Sequence, residues 1–322
     1  MQTVELDRCR GMRNRLGAWA RVSCLLLATA SACGPVEDAS EPPVLQAQVQ
    51  ASESHNPLSL NGLSFNGLSF NGLSFNGLSF NGLSFNGLST STFRSWFQSN
   101  PAVADEVMRY IVRCAVPAGQ TRTYTHPTSG VTYTWTGALG LAPAWAGGSS
   151  APLLEQQLVS ACLAAHVNPY GVSVPISVLG RGAQGQPIPY TSEELNAFPK
   201  QESCFFGNLF TGQGLHAGSR GTLLGQDQSS ARACAVVDSS GSQRKSCAPL
   251  FFVGECARHC TLDPSGLFYS KCRYAGVEYR PLVTRLRDQD IYRCGDGSCQ
   301  VTESCGTAHW YNSCRADCGL CR

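Results

Sequence analysis

Three rhythms of apolar and polar positions run along this chain. From Leu58 to Thr90 the period is five: the unit Asn61-Gly62-Leu63-Ser64-Phe65 recurs through to Asn86-Gly87-Leu88-Ser89-Thr90. That period matches neither the 3.6 of a helix nor the 2 of a strand. Glycine in every unit disfavours helix, and each Asn-Gly carries a turn signal. Further on the rhythm becomes helical. Asn100-Pro101 supplies a cap and a first-turn proline, and Val103, Val107, Tyr110, Ile111 and Cys114 follow on one face, which predicts a helix to about Cys114. A second helix is predicted from Pro152 to about His166, with Leu154, Leu158, Cys162 and Ala165 on one side. The strand-like rhythm comes in Thr121–His126 and Val131–Thr136, a hairpin around Pro127-Thr128-Ser129-Gly130. Val172–Leu179 reads as a buried strand, Ser192-Glu193-Glu194-Leu195 opens a short helix, and the aromatic run from Cys204 to Phe210 is expected in the core.

Ahead of the repeat the texture is that of an export signal. Arg8, Arg10, Arg13, Arg15 and Arg21 precede an apolar stretch from Val22 to Ala32, too short for the ~20 residues of a membrane span. The stretch ends in Ala30-Ser31-Ala32-Cys33, which suits signal peptidase and resembles a bacterial lipobox, in which the Cys33 thiol receives a diacylglycerol. Gly34 stands where that resemblance places Asp in inner-membrane lipoproteins, so an outer-membrane or surface location is implied. Plain secretion is the alternative. Residues 34–57 are rich in Pro, Glu, Ser, Gln and Ala and read as a tether.

Charge and cysteine usage refine this picture. The net charge of the 322-residue chain is +2, and its basic excess sits in the leader, which removes the electrostatic warrant for nucleic-acid binding. Of 17 cysteines, Cys9, Cys24 and Cys33 lie at or before the cut. The remaining fourteen are an even number, as seven disulfides in an oxidising compartment require: Cys114, Cys162, Cys204, Cys234, Cys247, Cys256, Cys260, Cys272, Cys294, Cys299, Cys305, Cys314, Cys318 and Cys321. Cys114 and Cys162 both fall on buried helical faces and form the first pair expected. The last six crowd into a tail too small to build its own apolar core, so it needs staples. Three bridges allow 15 connectivities, and sequence does not choose among them.

Candidate chemistry is sparse. Gly180-Arg181-Gly182-Ala183-Gln184-Gly185 has dinucleotide-fingerprint spacing, but Pro187 and Pro189 replace the helix that would hold the pyrophosphate, so a surface loop is expected. A cysteine nucleophile could be built from Cys162 with His166 or Cys204 with His216. That would make the chain a secreted hydrolase or transferase, a reading the even cysteine count opposes. Cys247, Cys256, His259, Cys260 and Cys272 have ligand types for zinc, with disulfides the alternative outside the cytoplasm. No Gly-x-Ser-x-Gly elbow stands in a strand-to-helix setting. Asp296, Gly297 and Glu303 match the fifth, sixth and twelfth positions of a calcium loop, but Tyr292 and Cys294 at the first and third supply no carboxylate. Calcium is thus one reading of Asp296 and Glu303, and a tight turn between disulfides is the other.

Two resemblances complete the reading. A corner every five residues with Leu and Phe inside resembles the pentapeptide-repeat family, a four-sided right-handed β-solenoid. Six units fall short of what a stacked array needs, so a low-complexity stalk and a short docked stack both stay open. Cys294-Gly295-Asp296-Gly297-Ser298-Cys299, with Asp317-Cys318-Gly319-Leu320-Cys321, resembles the cysteine-rich modules that end many exported proteins of myxobacteria. Trp135-Thr136-Gly137, Leu141-Ala142-Pro143, Ser160-Ala161-Cys162 and Gly207-Asn208-Leu209-Phe210 extend the likeness to their surface lipoproteins, which brings no known activity. The expected organisation is a signal (1–32), a lipid-anchored tether (33–57), the repeat (58–91), an α+β disulfide-stapled domain (92–293) and a cysteine-rich module (294–322). The expected role is non-enzymatic: binding, adhesion or structure at the cell surface. The membrane is contacted through the lipid, and a surface protein or polysaccharide is the partner.

Overall fold

The computed structural model describes residues 85–243, 247–306 and 313–321. The signal, Cys33, the tether and the repeat up to residue 84 lie outside the described residues.

The last repeat unit opens the fold. Phe85–Leu88 forms a helical turn (α1), against the helix-disfavouring reading of its glycine, and Leu88 is 2% exposed. The core therefore reaches back past the expected boundary at residue 92. Thr90 then caps α2 (Ser91–Ser99), its Oγ1 accepting from the Phe93 N–H at 3.2 Å. Asn100 does the same for α3 (Pro101–Ala115), accepting from Val103 N–H. Phe93 and Phe97 of α2 meet Tyr124 and Tyr133 of the hairpin β1 (Thr121–Thr125) and β2 (Thr132–Thr136), with ring centroids 4.8–4.9 Å apart. Trp135 buries its ring and donates through Nε1 to Asp105 Oδ1 at 2.7 Å.

The short helix α4 (Pro143–Ala146) has first-turn N–H groups satisfied by a side chain from farther along. Glu155, 4% exposed, accepts from Ala144 N–H at 2.9 Å and Trp145 N–H at 3.0 Å. Glu155 belongs to α5 (Leu153–His166). That helix is buried nearly all round from Glu155 to His166, not along one side only. It lies between α3 on one side and a sheet on the other, the setting that calls for such a helix.

That sheet has five strands in the order β3 (Ser177–Gly180), β13 (Leu282–Leu286), β4 (Lys200–Asn208), β5 (Gly214–Ser219) and β9 (Leu250–Glu255). All pairs are antiparallel except β5 with β9. Both faces are covered, and side-chain alternation divides them. Val178, Phe205, Leu215, Ala217 and Leu282 join the helical core. Leu179, Cys204, Phe206 and Val283 point the other way, onto Phe268, Tyr269, Cys272 and Tyr279. Most of that second layer is the antiparallel sheet β10 (Cys260–Leu262), β11 (Tyr269–Tyr274) and β12 (Val277–Tyr279). The strand expected over Val172–Leu179 is confined to its last three residues, extended by Gly180; Pro175, which lacks a donor, sits in the irregular lead-in. Gly207 is required in β4: its φ is +142°, and a Cβ there would collide with the Gly214 carbonyl on the neighbouring strand.

Smaller pieces fill the sequence between these strands. Helix α6 (Ser192–Ala197) is capped by Thr191. β6 (Leu223–Leu224) pairs with β8 (Val237–Asp238), and β7 (Gln228–Ser229) with β14 (Tyr292–Arg293). The tail continues from β14, tied to the domain by Cys294 N–H donating to the Asp227 carbonyl and by a 2.6 Å bond between Ser229 and Thr302 hydroxyls. It ends in the one-turn helix α7 (Arg315–Cys318).

Seven disulfides join the fourteen cysteines. Cys114–Cys162 clamps α3 to α5. Cys204–Cys256, Cys234–Cys247 and Cys260–Cys272 hold the middle of the chain. In the tail the first three cysteines pair with the last three in order: Cys294–Cys314, Cys299–Cys318 and Cys305–Cys321. This is an α+β, disulfide-rich protein, and such bonds belong to an oxidising, exported environment. Among the described residues no helix is long and apolar enough to cross a membrane.

Candidate binding site

The disulfides consume the residues that sequence offered for chemistry. Cys162 is bonded to Cys114, and His166 Nδ1 is engaged with the Cys162 carbonyl at 2.8 Å. Burial is the main cause that pushes the His166 pKa down to about 3, so the ring is neutral. Cys204 is bonded to Cys256, while the His216 ring packs among Phe206 and Tyr274. The zinc set is dispersed: Cys247 pairs with Cys234, Cys256 with Cys204, Cys260 with Cys272, and His259 Nε2 lies 3.0 Å from the Val253 carbonyl. The loop after Gly180 is fixed by Arg181, which reaches Asp263 at 2.7 Å and the Gly185 carbonyl at 2.8 Å, and residues 186–191, directly after it, are not helical.

In the tail, Asp296 accepts from the Gln300 amide and from Ser298 N–H, bonds that, the Gln300 one first, hold its carboxyl below the usual range. Glu303 accepts from Gln300 N–H, and burial is the main cause raising its pKa. Both carboxylates thus shape turns. Among the described residues they do not belong to the groups of possible metal ligands that lie within 4.8 Å of one another. The groups that do are Cys114–Cys162–His166, Cys204–Cys260–Cys272 and Cys294–Cys314–Asp317, and each contains sulfurs already spent in disulfides.

Sequence reasoning missed a cavity of about 530 Å³ at the end of the sheet, within the ~300–1,000 Å³ typical of small-molecule sites. Four segments build it. Ser219 ends β5, and Arg220 and Gly221 follow it; Leu223 and Val237 come from the β6–β8 pair; Ser240 and Gly241 form the rim; Gly254, Glu255, Ala257, Arg258 and Tyr269 close the far side. The rim is a turn wound on Asp238, whose Oδ1 accepts from Ser240 N–H, Ser240 Oγ and Ser242 N–H at 2.6–3.1 Å. The far side is a 3₁₀ turn (Cys256–Arg258) pinned to the sheet by the Cys204–Cys256 disulfide.

Arg220 is the distinctive group. Its backbone N–H donates to the Glu202 carbonyl, which fixes where the side chain starts. Its guanidinium carbon lies 5.2 Å from the centre of the Tyr269 ring. Nε and Nη1 are buried and have no hydrogen-bond acceptor among the described residues. Desolvation is the main cause lowering its pKa; Tyr269 opposes the shift, and the nearby Arg285 charge adds to it. Glu255, the acidic residue lining the cavity, instead faces Arg258 at 3.6 Å, both largely exposed. Tyr269 is thus the side-chain partner of Arg220, and no carboxylate among the described residues balances its charge; buried polar atoms are nearly always paired, so the two guanidinium nitrogens without acceptors call for an explanation. The signal in sequence was Gly218-Ser219-Arg220-Gly221 in a stretch from Thr211 to Arg232 whose one acid is Asp227.

Comparison with protein-family models, with curated proteins and with solved structures finds no match to this chain.

Proposed function

We propose that this chain is an exported lipoprotein, anchored through Cys33 at the outer membrane or cell surface, with a non-enzymatic binding role exercised through the Arg220 cavity. The observation that carries the binding role is the cavity itself, with a half-buried arginine in its wall that has no carboxylate partner among the described residues. The lipobox-like Ala30-Ser31-Ala32-Cys33 and the resemblance to myxobacterial-type exported lipoproteins support the anchor. The disulfides support the compartment. They also take the sulfurs on which a cysteine hydrolase or transferase would depend, Cys162 and Cys204. The partner is a surface protein or polysaccharide.

Metabolic labelling with a fatty acid tests the anchor. Label is expected on the wild type and absent from Cys33→Ala; an unlabelled wild type, or a labelled variant, overturns it. For the binding role, immobilised mature protein is expected to retain envelope polysaccharide or protein from the producing cell. Leu223→Glu, at an exposed position on the cavity rim, should release it. Retention unaffected by that change would show that the cavity is not the site.

A further inference from the structure

We infer that the cavity holds its ligand through an oxyanion group (carboxylate, sulfate or phosphate) seated on the Arg220 guanidinium. This rests on the binding role argued above and names the chemistry of the ligand.

The warrant is the state of charge and pairing around Arg220. Among the described residues its guanidinium has no carboxylate partner: Nε and Nη1 are buried without acceptors, Tyr269 is its side-chain hydrogen-bond and ring neighbour, and the nearby acids are already committed. Glu255 is held by Arg258, and Asp238 is spent on the rim turn. Glu202, whose backbone carbonyl touches Arg220, gives its carboxylate to Arg232. Arg285, which adds to the local positive field, donates to the Phe198 and Pro199 carbonyls and has no carboxylate partner among the described residues. Two guanidiniums with no carboxylate partner among the described residues leave a positive field that an anion relieves. A guanidinium is planar and cannot lose its charge at ordinary pH, so its matched partner is a planar or tetrahedral oxyanion.

The surroundings fit such a group and something attached to it. Tyr269 braces one side of the cation. Ser219 and Ser240 line the cavity, the Ser240 hydroxyl already donating to Asp238, and Gly221, Gly241 and Gly254 remove side chains that would narrow it. Leu223, Val237 and Ala257 supply apolar wall. The volume of about 530 Å³ far exceeds a bare ion, so the oxyanion is the handle of a larger molecule.

The test is titration calorimetry on detergent-solubilised mature protein at constant ionic strength, with acetate, sulfate and inorganic phosphate as probes and chloride as the control. Glucuronate against glucose asks whether the handle sits on a sugar. Saturable binding of at least one oxyanion is expected, with chloride inert. Arg220→Gln should abolish it, and Arg220→Lys should weaken it more than tenfold. Because a change at Arg220 can disturb folding, Leu223→Glu serves as the second variant: it adds a repelling charge at an exposed site and should weaken binding more than tenfold with an unchanged melting temperature. No saturable binding of any oxyanion, or binding untouched in both folded variants, overturns the inference. Binding of glucose without glucuronate also overturns it, yet leaves the binding role standing. Failure of the envelope-retention experiment with oxyanion binding intact would do the reverse.

Discussion

Arg232 Nε donates to Glu202 Oε1 across 2.6 Å, with both side chains out of water, 2% and 0% exposed. The pair links the loop after β7 to the start of β4. Arg232 also donates to the Val167 carbonyl at 3.2 Å and lies over the Phe205 ring, so one side chain ties the end of α5 to the sheet. The arrangement is only partly satisfied, because Glu202 Oε2 and Arg232 Nη2 have no partner among the described residues.

A buried pair of this kind is worth far less than its loss would imply, because removing one partner strands the other charge. Glu202→Ala should therefore cost about 3–5 kcal/mol in a urea unfolding experiment. Replacing both, as Glu202→Leu with Arg232→Met, should cost less than Glu202→Ala alone. A double variant at least as damaged as the single one would show that the pair itself stabilises the fold.

The contrast between the legible and illegible parts of this protein follows the range of the interactions. Helices α3 and α5 show in the sequence because caps and apolar spacing act within a few residues. The link between Cys114 and Cys162 was legible for the same reason, since both sit on those helical faces. Cys260–Cys272 was not, because it depends on the register that sets those residues opposite each other on β10 and β11. The strand over Val172–Leu179 was overdrawn, since apolar composition masked what Pro175 does to a ladder. The Arg220 cavity was least legible of all. Four separated segments meet there, and the sequence marks none of them as neighbours.

The Cys114–Cys162 bridge closes a loop with a sequence separation of 48. Loop-closure entropy puts its contribution at about 4 kcal/mol. The paired variant Cys114→Ala with Cys162→Ala should lose roughly that much by urea unfolding. A loss below about 1 kcal/mol would mean that the helix pair is held by packing and gains little from the bond.

His166 sets an acid limit. Its unfolded pKa is the ordinary ~6.5, and burial first, then the Arg113 charge, brings the folded value to about 3. A base whose folded pKa is depressed stays neutral in the fold while the unfolded chain takes up a proton. Its contribution is therefore complete above pH ~6.5 and is lost as pH falls towards 3. Glu194 works in the opposite sense: burial raises its carboxyl, so its contribution is present at low pH and lost as pH rises through the folded value. The urea midpoint of the wild type should drop between pH 6.5 and 3. His166→Asn, which cannot titrate, should flatten that part of the profile. Identical slopes in the two proteins would remove His166 as the cause.

The final unit of the repeat is the place where the sequence pattern and the packed fold meet. Leu88 occupies the leucine position of its unit, yet it is 2% exposed in the same core as Phe93 and Trp96. The following threonine, Thr90, caps α2, and Arg94 reaches back to the Ser89 carbonyl at 2.9 Å through Nε. This unit therefore belongs energetically to the domain that follows it. Leu88→Ala should cost about 2–5 kcal/mol, and Thr90→Ala about 1 kcal/mol, in urea unfolding of the mature protein. The leucine change should be the larger because it removes buried volume, while the threonine change removes one capping bond. A Leu88→Ala variant as stable as the wild type would mean that the domain begins only after this unit, at the boundary near residue 92 that the sequence pattern predicts.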